Sequence, residues 1–255
     1  MTPAREHLRR GECTIEGVMN HLKIDIWSDI ACPWCYVGKR NLEDALRGFD
    51  HKDSVSVRWR AFELDPSAPR IKDPGQGYAE RLAQKYSASI EQAQAMIQTM
   101  TDAAAARGLD FRFDIIRPGN TFDAHRLLHL AELRGLSEPT KERFLRGYMC
   151  EGLAIGDPEA LLSMGLEAGL LEPELRSVLE TDTYADEVRG DEEQARTLGI
   201  TGVPFFMMSA EVRLSGAQPP ETLLRSLDAA WKAAHPDAAA DPDSAGDRCG
   251  PAGCD

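Results

Sequence analysis

The sequence predicts an α/β fold interrupted by a large all-helical insertion. Three observations carry this expectation. First, residues 23–30 alternate apolar and polar side chains, and residues 54–64 place Val55, Val57, Trp59 and Ala61 on one face, which predicts two strands. Second, from 78 to about 198 only helical spacing of apolar residues occurs. Third, after Gly199 the pattern returns to short strands and a closing helix.

Between the first two strands, Tyr36 to Arg47 carries Val37, Leu42, Ala45 and Leu46 at helical spacing, and Gly48 closes the run. Parallel strands need such a crossover helix. Asp65-Pro66 and the Pro/Gly-rich stretch 66–77 end the strand–helix–strand unit. The helical block divides into 78–87, 90–107, 121–134, 139–150, 158–168, 173–181 and 183–198. Asp157 before Pro158 is a cap followed by proline at the first helical position, and Glu172-Pro173 repeats the idea. Residues 204–209 and 211–215 read as a hairpin, and Pro219-Pro220 opens a last helix through Lys232. A β-α-β unit and a β-β-α unit separated by helices is a thioredoxin-like layout. Its expected organisation is a mobile arm over 1–21, with Met19 a candidate start. The first thioredoxin-like half follows over 22–70, the helical insertion over 71–190 and the second half over 191–235. A flexible tail over 236–255 completes the chain.

The chain has 255 residues, 42% of them apolar, enough for a real core. Lys plus Arg number 29 and Asp plus Glu 42, a net charge of −13. That balance argues against nucleic acid and against anionic membrane surfaces as partners. No run of 18 apolar residues predicts a membrane span, and the N-terminus has no apolar signal region, so the expected location is the cytoplasm. There, six cysteines do not suggest a structural disulfide framework.

Their spacing carries more. Cys32-Pro33-Trp34-Cys35 lies between a strand and the start of a helix. Thiol–disulfide exchange needs a thiolate, and a helix N-terminus favours the anion through its unpaired N–H groups and its dipole. Cys32 sits at that end and is the expected nucleophile, with its pKa lowered to roughly 5–7. Cys35, about one turn deeper, is placed to resolve a mixed disulfide. Pro33 fits the first helical turn because its missing donor would be orphaned anyway. The competing reading is half of a zinc site, completed by Cys249 and Cys254. Since one pair opens an amphipathic helix and the other sits in the tail, redox chemistry is favoured and no metal is assigned.

Val203-Pro204 opens a strand, where proline is tolerated only for a reason. Local sequence permits cis or trans; with the preceding C-x-x-C layout, cis is expected, bringing backbone beside the active sulfur. Asp25, on the first strand, is a candidate proton acceptor for the resolving thiol. His125 and His129 are four apart on a helix but lack the zinc-protease pattern, so they read as ordinary helix histidines. Cys150 reads as a small buried apolar residue and Cys13 as incidental. Cys249-Gly-Pro-Ala-Gly-Cys254 is turn chemistry in a tail with five Asp against one Arg, and reads as a second, accessory dithiol.

Several motifs occur together and in order: Ser28-Asp-Ile-Ala-Cys-Pro-Trp-Cys35, Arg60-Ala-Phe-Glu-Leu-Asp-Pro66, Asn120-Thr-Phe-Asp-Ala-His-Arg-Leu127, Glu151-Gly-Leu-Ala-Ile-Gly-Asp157, Gly202-Val-Pro-Phe-Phe206 and Ser215-Gly-Ala-Gln218. Over about 20–235 the chain resembles the FrnE-like branch of the DsbA thioredoxin-like family. The resemblance implies a cytoplasmic protein-disulfide oxidoreductase or isomerase with a helical domain inserted into a thioredoxin fold. By position it implies Cys32 as nucleophile, Cys35 as resolving thiol and Pro204 as the cis proline. Oxidising periplasmic members carry His where this chain has Trp34, so a weaker oxidant is expected, at roughly −180 to −270 mV. They also place their acidic residue one position closer to the nucleophile than Asp25. The tail pair resembles double-motif members described as disulfide isomerases.

The expected partners are thiol- or disulfide-containing proteins, with thioredoxin or a low-molecular-weight thiol as reductant. The sulfurs carry the electrons, so no cofactor is expected. Two other readings stand beside this one. One is a glutathione-dependent small-molecule isomerase or transferase of the same fold. The other is a thiol-based metal-binding or redox-sensing protein.

Overall fold

The computed structural model describes residues 21–71 and 75–236. Cys13, Met19, Cys249 and Cys254, and with them the expected arm and tail, lie outside the described residues.

The chain opens with β1 (Leu22–Ser28), α1 (Pro33–Arg47) and β2 (Val55–Ala61). The helical block follows as α2 (Tyr78–Tyr86), α3 (Ile90–Ala105), α4 (Phe122–Leu133), α5 (Ser137–Met149), α6 (Pro158–Glu167), α7 (Glu172–Glu180) and α8 (Ala185–Thr197). Then come β3 (Phe205–Met207), β4 (Arg213–Ser215) and α9 (Pro220–Ala234). The sheet order is β2-β1-β3-β4. β1 and β2 run parallel, while β3 is antiparallel to both β1 and β4. This is the thioredoxin-like α/β fold with a helical insertion that the pattern predicts.

Alternation along β1 assigns the two sheet faces. Ile24 and Ile26 point to one side and pack with Leu42 and Ala45 of α1, Phe206, and Leu223 and Leu227 of α9. Trp27 points to the other side, against Ala195, Ile200 and Phe205. Each strand face is buried by a different helix layer, which fixes the register. The helical insertion has its own core, built on residues such as Phe144, Leu145, Leu161 and Leu175. Ile30, Tyr36 and Val37 belong to that second core, so the loop after β1 and the first turn of α1 lie where the two cores meet.

Boundaries differ from expectation where side chains recruit backbone. β1 ends at Ser28, not 30, because Cys32 N–H turns back to the Asp29 carbonyl at 3.3 Å. β2 ends at Ala61, not 64, because the Glu63 and Leu64 N–H groups bond the Glu192 and Asp29 carboxylates. α1 begins at Pro33, three residues early, with Cys32 as its N-cap. α8 runs continuously through the division expected at 190/191. It binds the sheet there: Asp191 accepts from Ala61 N–H at 3.0 Å and from Arg60 at 2.8 Å, and its carbonyl accepts from Trp27 Nε1 at 3.0 Å.

The Val203–Pro204 peptide bond is cis, as the sequence reading expects. Gly38 on α1 lies so close to this loop that a Cβ there would meet Pro204 Cγ at 2.9 Å. Gly38→Ala should therefore cost about 1–3 kcal/mol, read as a lowered urea midpoint with an unchanged slope. An unchanged midpoint would show that α1 and the Pro204 loop separate freely.

Candidate active site

Cys32 and Cys35 are free thiols in the first turn of α1. Cys32 is 5% exposed and Cys35 1%. Cys32 Sγ donates to the Val203 carbonyl at 3.4 Å, which places the thiol against the Pro204 loop. Cys32, Pro33 and Trp34 line one side of an apolar groove of about 430 Å³. Tyr78, Leu82, Met96 and Met100 of α2 and α3 line the other side, with Arg81 and Lys85 supplying two cations. Trp34 is one of the exposed large apolar residues.

The two sulfurs interact and titrate as a pair. The contact with Cys35, its charge and burial push the Cys32 thiol well up. Burial also opposes the Cys35 thiolate. That effect is outweighed by the contact with Cys32, the Lys141 ammonium, the Ser28 hydroxyl and a backbone bond from Asp29, so Cys35 is lowered. The first ionisation therefore belongs to the pair and not to either cysteine alone. Both sulfurs are dry and share one proton, and the Lys141 ammonium favours the charge of the pair.

Asp25 is not brought to the sulfurs. It points from the sheet face opposite α1, and its carboxylate accepts from Arg60 Nε at 2.6 Å. Strand alternation separates it from Ser28, which faces Cys35. The buried carboxylate at the site is Asp29, 1% exposed. It accepts from Ala31 N–H at 3.3 Å and from Leu64 N–H at 2.8 Å, and lies 3.4 Å from His125 Nε2. Burial alone would raise its pKa; His125 and the Leu64 N–H outweigh that and hold it below the usual carboxylate range. His125 and His129 face no common partner. Both are buried on α4, and each faces a different buried carboxylate, with His129 Nε2 3.1 Å from Asp191. Among the described residues no group of three or more His, Cys, Asp or Glu is arranged to hold a metal. Cys150 is half-buried against the helical core, and burial pushes its thiol up to about 11.

Two site residues escape a pattern-based reading. Asp29 falls within the strand expected over 23–30, but β1 ends at Ser28 and Asp29 sits in the loop that follows. Lys141 on α5 is fully buried, an uncommon fate for lysine. Its only sequence signal is a charged residue three positions before the buried Phe144.

A family model for the DSBA-like thioredoxin domain matches residues 23–228. The chain is 31% identical over 195 residues to the uncharacterized protein YwbO of Bacillus subtilis (strain 168), covering 74% of this chain and 88% of that protein. Among solved structures it is similar to a probable DsbA oxidoreductase, SCO1869, from Streptomyces coelicolor. The identity is 46% and the TM-score 0.77, over 83% of this chain and 90% of that one. The cytosolic disulfide reductase DsbM of Pseudomonas aeruginosa shares the fold at 17% identity and TM-score 0.57, over 83% of this chain and 100% of that one. Fold and paired cysteines together define a DsbA-like oxidoreductase class. The chain belongs to the DSBA-like thioredoxin domain family.

Asp29→Ala should cost about 3–5 kcal/mol at pH 7, because His125 and two N–H groups lose their buried partner. Asp29 is lowered in the fold, so its contribution is complete above the ordinary carboxylate pKa of about 3.9 and disappears as pH falls through its lower folded value. Wild type should lose stability steeply below about pH 4, and Asp29→Asn less steeply. Parallel curves from acid titration of urea stability would contradict this account.

Proposed function

We propose that this chain is a protein thiol–disulfide oxidoreductase or isomerase working through Cys32 and Cys35. The observation that carries the reading is the unequal placement of the pair: Cys32 lines the groove, and Cys35 lies beneath it, 1% exposed. Cys32 passes its proton toward Cys35, and its thiolate attacks a substrate disulfide. One substrate sulfur leaves as a thiolate, and a mixed disulfide forms. Cys35 passes that proton to the departed substrate thiolate and, as a thiolate, attacks Cys32 Sγ. The Cys32–Cys35 bond forms and the second substrate sulfur is released, so two electrons have passed to the substrate. In isomerase turnover a substrate thiol resolves the mixed disulfide instead.

The Val203 carbonyl and Pro204 form the wall that a substrate backbone meets beside Cys32. The groove's aromatic and Met surface suits an apolar flank of the substrate, and Arg81 and Lys85 suit an acidic one. Glutathione or thioredoxin is the proposed reductant, in keeping with a fold relative, DsbM of Pseudomonas aeruginosa, solved with GSH. Location in the cytoplasm, independence of cofactors, and a role for Cys249 and Cys254 as an accessory redox pair complete the proposal. The described residues contain no helix long and apolar enough to cross a membrane.

A second reading is a glutathione-dependent small-molecule isomerase. A 2-hydroxychromene-2-carboxylate isomerase shares the fold at 14% identity and TM-score 0.59. The paired thiols disfavour it. Glutathione conjugation by Cys35→Ser would favour it.

Insulin reduction and reactivation of scrambled ribonuclease test the main reading. Cys32→Ser should fall to background in both. Cys35→Ser should accumulate mixed disulfides. Cys249→Ser/Cys254→Ser should change reactivation alone. Full activity in Cys32→Ser would overturn the reading.

A further inference from the structure

The first-turn dithiol has a buried cation beneath it that belongs to neither half of the thioredoxin-like unit. Lys141 is carried on α5 of the helical insertion and is 0% exposed. Among the described residues its Nζ has no hydrogen-bond partner. It lies 5.1 Å from the centre of the Trp59 ring, the aromatic contact that covers it on the sheet side. The surrounding turn of α5 is clamped in place. Glu138 accepts from Trp59 Nε1 at 2.7 Å and Glu142 accepts from Tyr36 Oη at 2.6 Å. Lys39 of α1 lies 3.4 Å from Glu138 and 3.1 Å from Glu142.

An unpartnered buried ammonium is costly, so a lysine held there needs an electrostatic counterpart. The charged and titratable groups facing it are Cys35 and Cys32 of α1, Asp29 of the loop after β1, and Glu138 of its own helix. Asp29 is already matched by His125 and two N–H groups, and Glu138 by Trp59 and Lys39. Cys35 is the group left whose charge appears and disappears with chemistry.

We propose that Lys141 is the counter-charge of the dithiol, a positioning residue that acts through Cys35. Its ammonium holds the thiolate of the reduced pair and gives up a proton when the Cys32–Cys35 disulfide forms. The proposal rests on the reading of Cys32 and Cys35 as a redox pair and adds how its charge is balanced.

The balance closes without an outside acid. The reduced site holds one thiolate, one thiol and one ammonium. When the pair gives two electrons to a substrate disulfide, the protein S–S bond forms and the substrate S–S bond breaks. The two substrate thiols need two protons. One comes from the protein thiol and one from Lys141, leaving a neutral disulfide beside a neutral amine. Reduction of the site by an incoming dithiol runs the same steps backwards. Burial lowers the Lys141 pKa to about 8, against the opposing pull of Cys35 and Asp29, so the amine is within reach of losing its proton near neutral pH. Loss of the thiolate on oxidation removes the largest of those opposing charges.

The test is Lys141→Met in the full chain, which keeps length and removes charge. Thiolate absorbance of the reduced protein is titrated against pH, and the redox equilibrium with a glutathione couple is measured. The first ionisation of the pair should rise by about one pKa unit or more, since a neighbouring charge of this kind shifts pKa by that order. The equilibrium should move about tenfold toward the disulfide, or about 30 mV for a two-electron couple. In wild type the thiolate signal should respond again near pH 8 as Lys141 deprotonates, and that inflection should vanish in the variant. The melting temperature should hold, because the dithiol can take up a proton in place of the lost ammonium and leave no buried charge unpaired. An unchanged titration and equilibrium in a folded variant would overturn the proposal. So would a variant that unfolds, which would make Lys141 a structural cation. If wild type itself forms no Cys32–Cys35 disulfide, the redox reading of the site fails first, and that outcome is seen without the variant.

Discussion

The Asp29 carboxylate is the interaction on which the rest of the site depends. It is buried at the point where β1 ends, β2 ends and α4 passes beneath. By accepting from Ala31 and Leu64 and facing His125, it joins three separated stretches of chain. Its own carbonyl receives Cys32 N–H, so the same residue sets where α1 begins. A carboxylate can be buried there only because those partners replace the water it loses. The position of the sulfurs is therefore a consequence of satisfying one buried charge.

A second set of buried charges works at the other seam. Asp191 of α8 ties the end of the helical block to Ala61 and Arg60 of β2, and His129 lies against it. The helical insertion is held to the sheet by polar contacts at both ends of α4 as well as by its apolar core. Such contacts contribute specificity of position more than net stability. That suits a site in which the sulfurs, the Val203 carbonyl and the cation of α5 come from three non-adjacent segments. The groove is a by-product of the same geometry: α2 and α3 stand across from the first turn of α1 and leave its outermost sulfur as part of the wall.

The order of elements was legible because each has a strong period. The alternation of Val55, Val57, Trp59 and Ala61 and the helical spacing of 158–168 leave little choice, and the structure places β2 and α6 there. The paired cysteines and Pro204 were legible because proline and C-x-x-C are rare and position-specific. What escaped depends on tertiary contacts. Asp25 looked suitable because it precedes Cys32 on a strand, but pleating turns it to the α8 face and Arg60 takes its charge. His125 shows no pattern that separates it from a solvated helix histidine; its partner is nearly a hundred residues earlier. Lys141 lies on a helix that also carries Glu138, Glu142, Arg143 and Arg146, and nothing in that run of charges marks it as the one buried against Trp59. A helix N-terminus is visible in sequence, whereas a cation delivered from a remote helix is not.

The central claim is that Cys32 is the sulfur that meets substrate and Cys35 the sheltered one that completes the exchange. Time-resolved alkylation of the reduced, folded full chain, followed by peptide mapping, addresses it most directly. The account predicts that Cys32 is modified first and that Cys35 reacts only after unfolding. Modification of Cys35 ahead of Cys32, or equal reactivity of the two, would contradict it.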